Sequence, residues 1–219
     1  MKKAKIAALI LGVLLATIGV VMASETSVLS DYKYGSLVGN APLIQNATEA
    51  ENPDVLYVLI IAEEPLRSVL QEEVSKVAHS HGLKTVNVPT PAREDLQGLQ
   101  FKGRFLSIYV RRLDMKHGLL SRKYSADVFV YYSSAGDVES FYRVYENAED
   151  MDFDEMVDSI KRSLPEKRIN VRGDWGIAYR KNLKVYVGYL ARKPADYPWR
   201  AMAEDIMGDV EDFLRSAEV

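Results

Sequence analysis

Ile6 to Ala23 (IAALILGVLLATIGVVMA) runs without a single charged residue, directly after Lys2, Lys3 and Lys5. Nothing else in the chain constrains its fate as strongly. Lysines ahead of an apolar run hold the N-terminus in the cytoplasm and send the following chain outward. As a helix this run would span about 27 Å at 1.5 Å per residue, close to the hydrocarbon core of a bilayer at about 30 Å. Two readings fit. Residues 1–23 are either an uncleaved transmembrane anchor or a secretory signal peptide cleaved after Val21-Met22-Ala23, a passable small-residue site. No cysteine follows the run, so lipid attachment to a cysteine is excluded. Both readings place the remainder outside the cytoplasm, at the cell membrane or secreted.

That remainder is long enough for one good hydrophobic core. Without the three leading lysines it carries 25 basic and 31 acidic residues, a net charge near −6. Such a balance argues against general polyanion binding while permitting a local basic patch. With no cysteines, neither disulfides nor thiolate metal sites are available.

Residues 24–54 scatter Gly, Pro, Asn and Ser and read as a tether. Asn46-Ala47-Thr48 is a glycosylation sequon, weak as a three-residue match. The domain proper is expected over 55–219. Val55 to Ala62 (VLYVLIIA) is continuous, apolar and β-branched, the pattern of a strand buried on both faces. Pro65 suits a first helical position, Leu66, Val69, Leu70, Val74, Val77 and Ala78 recur at helical spacing, and Gly82 stops the helix. Leu83 to Val88 then completes a β-α-β unit. At such a first strand–helix turn nucleotide-binding proteins place glycines and bare amides; here stand Glu63 and Glu64, so no nucleotide is expected.

Pro89 to Gln100 reads as a loop. Strands are expected over Phe105–Leu113 and Ala126–Tyr132, joined by a polar turn around Asp114 to Lys123. Helices are expected from Asp137 to Glu146 and from Asp154 to Leu164. A meander follows, with Gly173-Asp174 and Lys181-Asn182 as two-residue loops. A last helix carries Trp199, Met202, Ile206, Val210, Phe213 and Leu214 on one stripe. The expected fold is α+β: an N-terminal membrane helix or signal peptide, then a single domain with one βαβ unit, antiparallel hairpins and a C-terminal helix.

Familiar chemical motifs are incomplete. His79, His81 and His117 do not make a zinc spacing, and histidines in a last helical turn suit its negative dipole end. Asp150, Asp152 and Asp154 begin a calcium-loop pattern that fails at Glu155 and Lys161. Ser133-Ser134 lacks the glycines of a nucleophile elbow. Arg172-Gly173-Asp174 reads as a turn. No metal and no cofactor is implied.

The remaining signal comes from register. With two-residue loops, one face of the meander collects Arg168, Asn170, Arg172, Trp175, Ile177, Tyr179, Lys184 and Tyr186. Arg172, Trp175, Tyr179, Lys184 and Tyr186 are the candidate binding residues, aromatics for stacking and cations for anionic groups. The hairpin region adds Lys102, Arg104, Arg111, Arg112, Lys116, Arg122 and Lys123 against Asp114. Equally, Tyr and Trp favour strands, and basic stems cover them. The sequence therefore favours a non-catalytic binding or envelope-assembly domain. Its partner would be an envelope protein, an anionic lipid surface or a polysaccharide. An exported hydrolase using carboxylates or histidines, and a structural subunit of a membrane complex, are the alternatives.

Overall fold

The apolar run at 55–62 becomes a strand one place in from the edge of a six-stranded mixed sheet. The computed structural model describes residues 2–35, 51–89, 101–134, 136, 138 and 176–216, with side chains for all of these except 2–9, 32–35, 176–179, 213, 215 and 216. In chain order the elements are α1 (Lys2–Ser24), β1 (Thr26–Gly35), β2 (Val55–Ile61), α2 (Leu66–Ser80), β3 (Lys84–Asn87), β4 (Arg104–His117), β5 (Ser121–Ser133), β6 (Gly176–Gly188) and α3 (Tyr197–Ser216). The sheet order is β1-β6-β5-β4-β2-β3. β2 is parallel to both β3 and β4, and the other pairings are antiparallel.

The β-α-β unit forms as its periodicity implies. α2 buries Leu66, Val69, Leu70, Val74 and Ala78. It ends in a Schellman motif: the Leu83 amide donates to the Ala78 carbonyl (2.9 Å) and the Gly82 amide to that of His79 (3.0 Å). Gly82 supplies the left-handed conformation this needs, at φ 71°. Leu83, the apolar partner of Ala78 in that motif, is buried.

α2 and α3 cover one face of the sheet. Leu56, Val58 and Ile60, Leu106, Ile108 and Val110, Ala126, Val128 and Val130, and Leu183 and Val185 meet Met202, Ile206, Val210 and Leu214 in one core. Trp199 sets its ring edge-on to Tyr124, 5.1 Å between centroids. On the opposite face Tyr57, Phe101, Phe105 and Tyr131 form a chain of ring contacts. Leu59, Phe105, Ser107 and Tyr131 are fully buried, so this part of the sheet is closed on both sides.

Three expectations change. Thr26–Gly35, read as tether, is an edge strand pairing with β6 from Thr26↔Val187 to Gly35↔Ala178. The Gly, Pro and Asn that mark a linker begin only at its last residue, Gly35, while Thr26, Val28, Tyr32 and Tyr34 suit a strand. The hairpin at Lys181-Asn182 does not exist: β6 runs unbroken through it, held by β1 on one side and β5 on the other. A two-residue hairpin needs positive φ, and no non-glycine among the described residues has it. Lys-Asn permits a turn without compelling one. Finally, β4 and β5 extend through the expected polar turn to a tip at Gly118–Leu120, closed by a Gly118 amide bond to the Ser121 carbonyl (2.8 Å). A register shift between Val110 and Arg112 marks where β4 turns from buried to mostly exposed, while β5 keeps Ala126 and Tyr124 in the core. The helices expected at 137–146 and 154–164 and most of the 89–100 loop lie outside the described residues.

Surface charges tie α2 to α3. Arg200 bonds Asp196 through Nε (2.7 Å) and approaches Glu72 (3.6 Å) and Glu73 (3.8 Å). The hydrogen bond from Lys76 holds the Glu72 carboxyl below its usual value, and the one from Arg200 does so for Asp196. Carboxyls depressed in the folded state add stability that is present above their unfolded pKa and lost as pH falls through the folded one. Acidification below about pH 4 should therefore weaken these pairs within each helix and, through the Arg200 charge beside Glu72, the link between α2 and α3. Hydrogen exchange of both helices against pH would show it. These groups are solvent-exposed, so the effect should be modest and should fade in high salt. Acid sensitivity that survives both high salt and the double change Glu72→Gln, Asp196→Asn would assign it elsewhere.

Candidate functional site

Three regions depart from ordinary core and surface. One is the open part of the sheet face opposite the helices. There, opposed residues of antiparallel strands share a face, so the pairings define rows running from β4 to β1. Arg112, Asp127, Asn182 and Asp31 form one row. Asp114, Ser125, Lys184 and Leu29 form the next, and Lys116, Lys123, Tyr186 and Ser27 the last. Arg180, beside the first row, grips Asp127 in a bidentate pair (Nε to Oδ1 2.7 Å, Nη2 to Oδ2 2.6 Å). The first row is thus charge-compensated. The last is cationic and aromatic, with the Lys123 ammonium 6.0 Å from the centre of the Tyr186 ring.

Of the candidate binding residues, Lys184 and Tyr186 share this open face, Lys184 exposed and Tyr186 half-buried. Tyr179 occupies a β6 position of the opposite parity, that of Lys181 and Leu183, because the chain does not turn at 181–182. Arg172 and Trp175 lie outside the described residues, as do Asn46, the Asp150–Asp154 acids and the Arg172-Gly173-Asp174 tripeptide.

The second region escapes sequence reading that places a turn at 181–182. Lys181 is fully buried beneath α3, where its ammonium donates to Asp209 Oδ2 (2.7 Å) and to the Asp205 main-chain carbonyl (3.0 Å) and pairs with the Asp205 carboxylate. The signal for it was present. Lys181 shares parity with Leu183 and Val185, and Asp205 and Asp209 stand one helical turn apart, on the same side of α3. Two hydrogen bonds and two ion pairs thereby hold the ammonium, which makes this an interlock between β6 and α3.

Other candidates stay apart. His79 and His81 flank the end of α2, and His117 lies near the β4–β5 tip, its Nδ1 3.4 Å from the Tyr189 hydroxyl. Among the described residues no three His, Asp or Glu side chains converge as metal ligands. Ser133 is fully buried. At the β2–α2 turn the Glu64 carboxylate accepts from the Ser68 amide (3.3 Å) and hydroxyl (2.6 Å), so the helix start already carries an anion.

α1 is the most unusual element. Ile10, Leu11, Val13, Leu14, Leu15, Ile18, Val20, Val21 and Met22 are between 47% and 62% exposed, on every side of the helix. Among the described residues, its C-terminal end is the part that meets the domain. The Leu190 amide donates to the Ala23 carbonyl (2.8 Å) and the Gly188 amide to that of Glu25 (3.0 Å). A side chain at Gly188 would collide with the Ala23 carbonyl. Helix and sheet are thus joined through a single residue, Glu25. Among the described residues, whose side chains in this helix begin at Ile10, no helix is long and apolar enough to cross a membrane.

No family model matches the chain, and no curated protein matches it. Among solved structures it is similar to a PelC dodecamer from Paraburkholderia phytofirmans, at 11% identity and a TM-score of 0.32, covering 82% of this chain and 89% of that one. It is also similar to a point variant of that dodecamer, at 10% identity and a TM-score of 0.33, covering 82% and 94%. Likeness at this level assigns no function.

Proposed function

We propose that this chain is a membrane-anchored, non-catalytic domain of the cell envelope, held by α1 with its sheet outside the cytoplasm. One observation carries the reading: an apolar helix whose described side chains are exposed on all sides and which, among the described residues, is fixed to the domain by its end. A helix apolar all round is stable when something apolar surrounds it. Bilayer lipid does so, and the lysines at 2, 3 and 5 favour a cytoplasmic N-terminus. Leu190 and Gly188 satisfy backbone carbonyls at the helix end that a membrane interface would otherwise have to solvate.

The open sheet face supports a binding or assembly role. Its cationic end, with Lys116, Lys123, Lys184 and Tyr186, suits an anionic envelope component such as a lipid surface, an acidic polysaccharide or an acidic protein patch.

Fractionation of the expressed protein, with intact mass of the product, tests the anchor. The expected result is a full-length chain in the membrane fraction that resists alkaline extraction. A soluble exported chain beginning near Ser24 would overturn the anchor in favour of a cleaved signal. It would also turn the search toward secreted ligands and substrates.

A further inference from the structure

The end of the domain from which α1 leaves carries its own surface. The β4–β5 tip folds against the segment after β6: the Tyr189 amide donates to the Leu120 carbonyl (3.1 Å) and its hydroxyl to that of Gly118 (3.0 Å). The next residue, Leu190, bonds Ala23 of α1. Tip, segment 188–193 and helix end are therefore one connected structure. Leu119 is 92% exposed, Leu190 58% and Tyr189 44%. Cations surround them, with Lys116, Arg122, Arg192 and Lys193 exposed and Lys123 half-buried. The Arg122 guanidinium lies 5.8 Å from the centre of the Tyr189 ring, and the Lys193 ammonium 4.7 Å from that of Tyr197. Glu25 is the acid at the helix junction. Between Arg122 and Lys193 lies a groove of about 120 Å³, walled by Tyr124, Gly188, Tyr189 and Pro194.

The geometry points to a second membrane contact: this end of the domain lies on the bilayer surface and takes anionic phospholipid headgroups. The inference rests on α1 being the anchor. A helix joined to the sheet through one residue leaves no spacer, so the tip and segment 188–193 sit where the bilayer surface begins. Leu119 and Leu190 enter the interface, Tyr189 lies at headgroup depth, and the groove admits a headgroup phosphate between two cations. Each basic residue near an anionic surface strengthens the contact about fivefold. Five of them around exposed leucines distinguish a lipid surface from plain solvation.

The test uses the full-length chain, which has no native cysteine. Single substitutions Leu14→Cys, Leu119→Cys and Val86→Cys each carry a polarity-sensitive fluorophore. The proteins are reconstituted in vesicles of phosphatidylcholine alone or mixed with phosphatidylglycerol. The Leu14→Cys label should report a bilayer interior in both, and the Val86→Cys label water in both. The Leu119→Cys label should shift blue and be quenched by brominated lipid in anionic vesicles, and lose most of that shift with Arg122→Glu and Lys193→Glu added. A Leu119→Cys label that stays water-like while the Leu14→Cys label is buried overturns the headgroup contact and leaves the anchor standing. A Leu119→Cys label equally buried in both lipids overturns the anionic preference. A Leu14→Cys label in water overturns the anchor, and this inference with it.

Discussion

Lys181→Ala should cost about 3–5 kcal/mol of folding stability, because it removes a buried cation paired with two carboxylates at the β6–α3 interface. Lys181 is fully buried, while the Asp205 and Asp209 side chains keep 25% and 21% of their surface. The carboxylates would gain some water after the change, but they would still stand one helical turn apart without the lysine's charge between them. The alanine also leaves the volume of the lysine stem empty among Val128, Leu183 and α3, adding a cavity cost. Lys181→Met separates the two contributions. It keeps the stem and removes the charge, so it should lose less than alanine. Adding Asp205→Asn and Asp209→Asn to Lys181→Met should restore much of the loss, since a buried ion cluster replaced in full is often nearly neutral. Urea unfolding of the four proteins measures this. A Lys181→Ala protein within about 0.5 kcal/mol of the parent would mean that the cluster contributes no more than an exposed pair.

The second large effect concerns α1. Leu14→Arg with Ile18→Arg should release the chain from the membrane fraction, or block its export, without altering the fold of the domain. The two positions lie one helical turn apart, and both side chains are exposed, 55% and 48%, away from the sheet. On an insertion scale an arginine at a helix centre costs about 2.5–3.5 kcal/mol, so two of them outweigh the gain from the remaining apolar residues near them. Alkaline extraction of membranes followed by circular dichroism of the released protein separates loss of anchoring from loss of folding. Full membrane retention of the double variant would show that the domain surface or a partner holds the protein there, with α1 dispensable. The pair therefore also weighs the helix against the headgroup contact at the Leu119 tip.

These two experiments bracket what was legible in the chain. The β2–α2–β3 unit could be read residue by residue, because its signals are local: β-branched residues at 55–62, apolar spacing from Leu66 to Ala78, and Gly82 at the one position needing left-handed backbone. The α3 stripe at Met202, Ile206, Val210 and Leu214 was legible for the same reason. So was the apolar character of α1, which needs only composition and the lysines before it.

Strand partnership was a different matter. Thr26–Gly35 has acceptable strand residues but becomes a strand because the edge of β6 offers it backbone partners, and β6 lies far away in sequence. Lys181-Asn182 looks like a turn in isolation, yet becomes mid-strand because β1 and β5 pair with it from both sides. That single difference in register moves Lys181 into the core and parts Tyr179 from Lys184 and Tyr186. A pattern of period two fixes which residues share a face only once it is known where the strand bends. Local sequence determined α2 and α3, the first parallel unit and the apolar N-terminal segment. Only the tertiary structure decided the neighbours of β6, because backbone hydrogen bonds between distant strands leave no periodicity in either one. The joining of helix, hairpin tip and basic segment at one end of the sheet was decided in the same way.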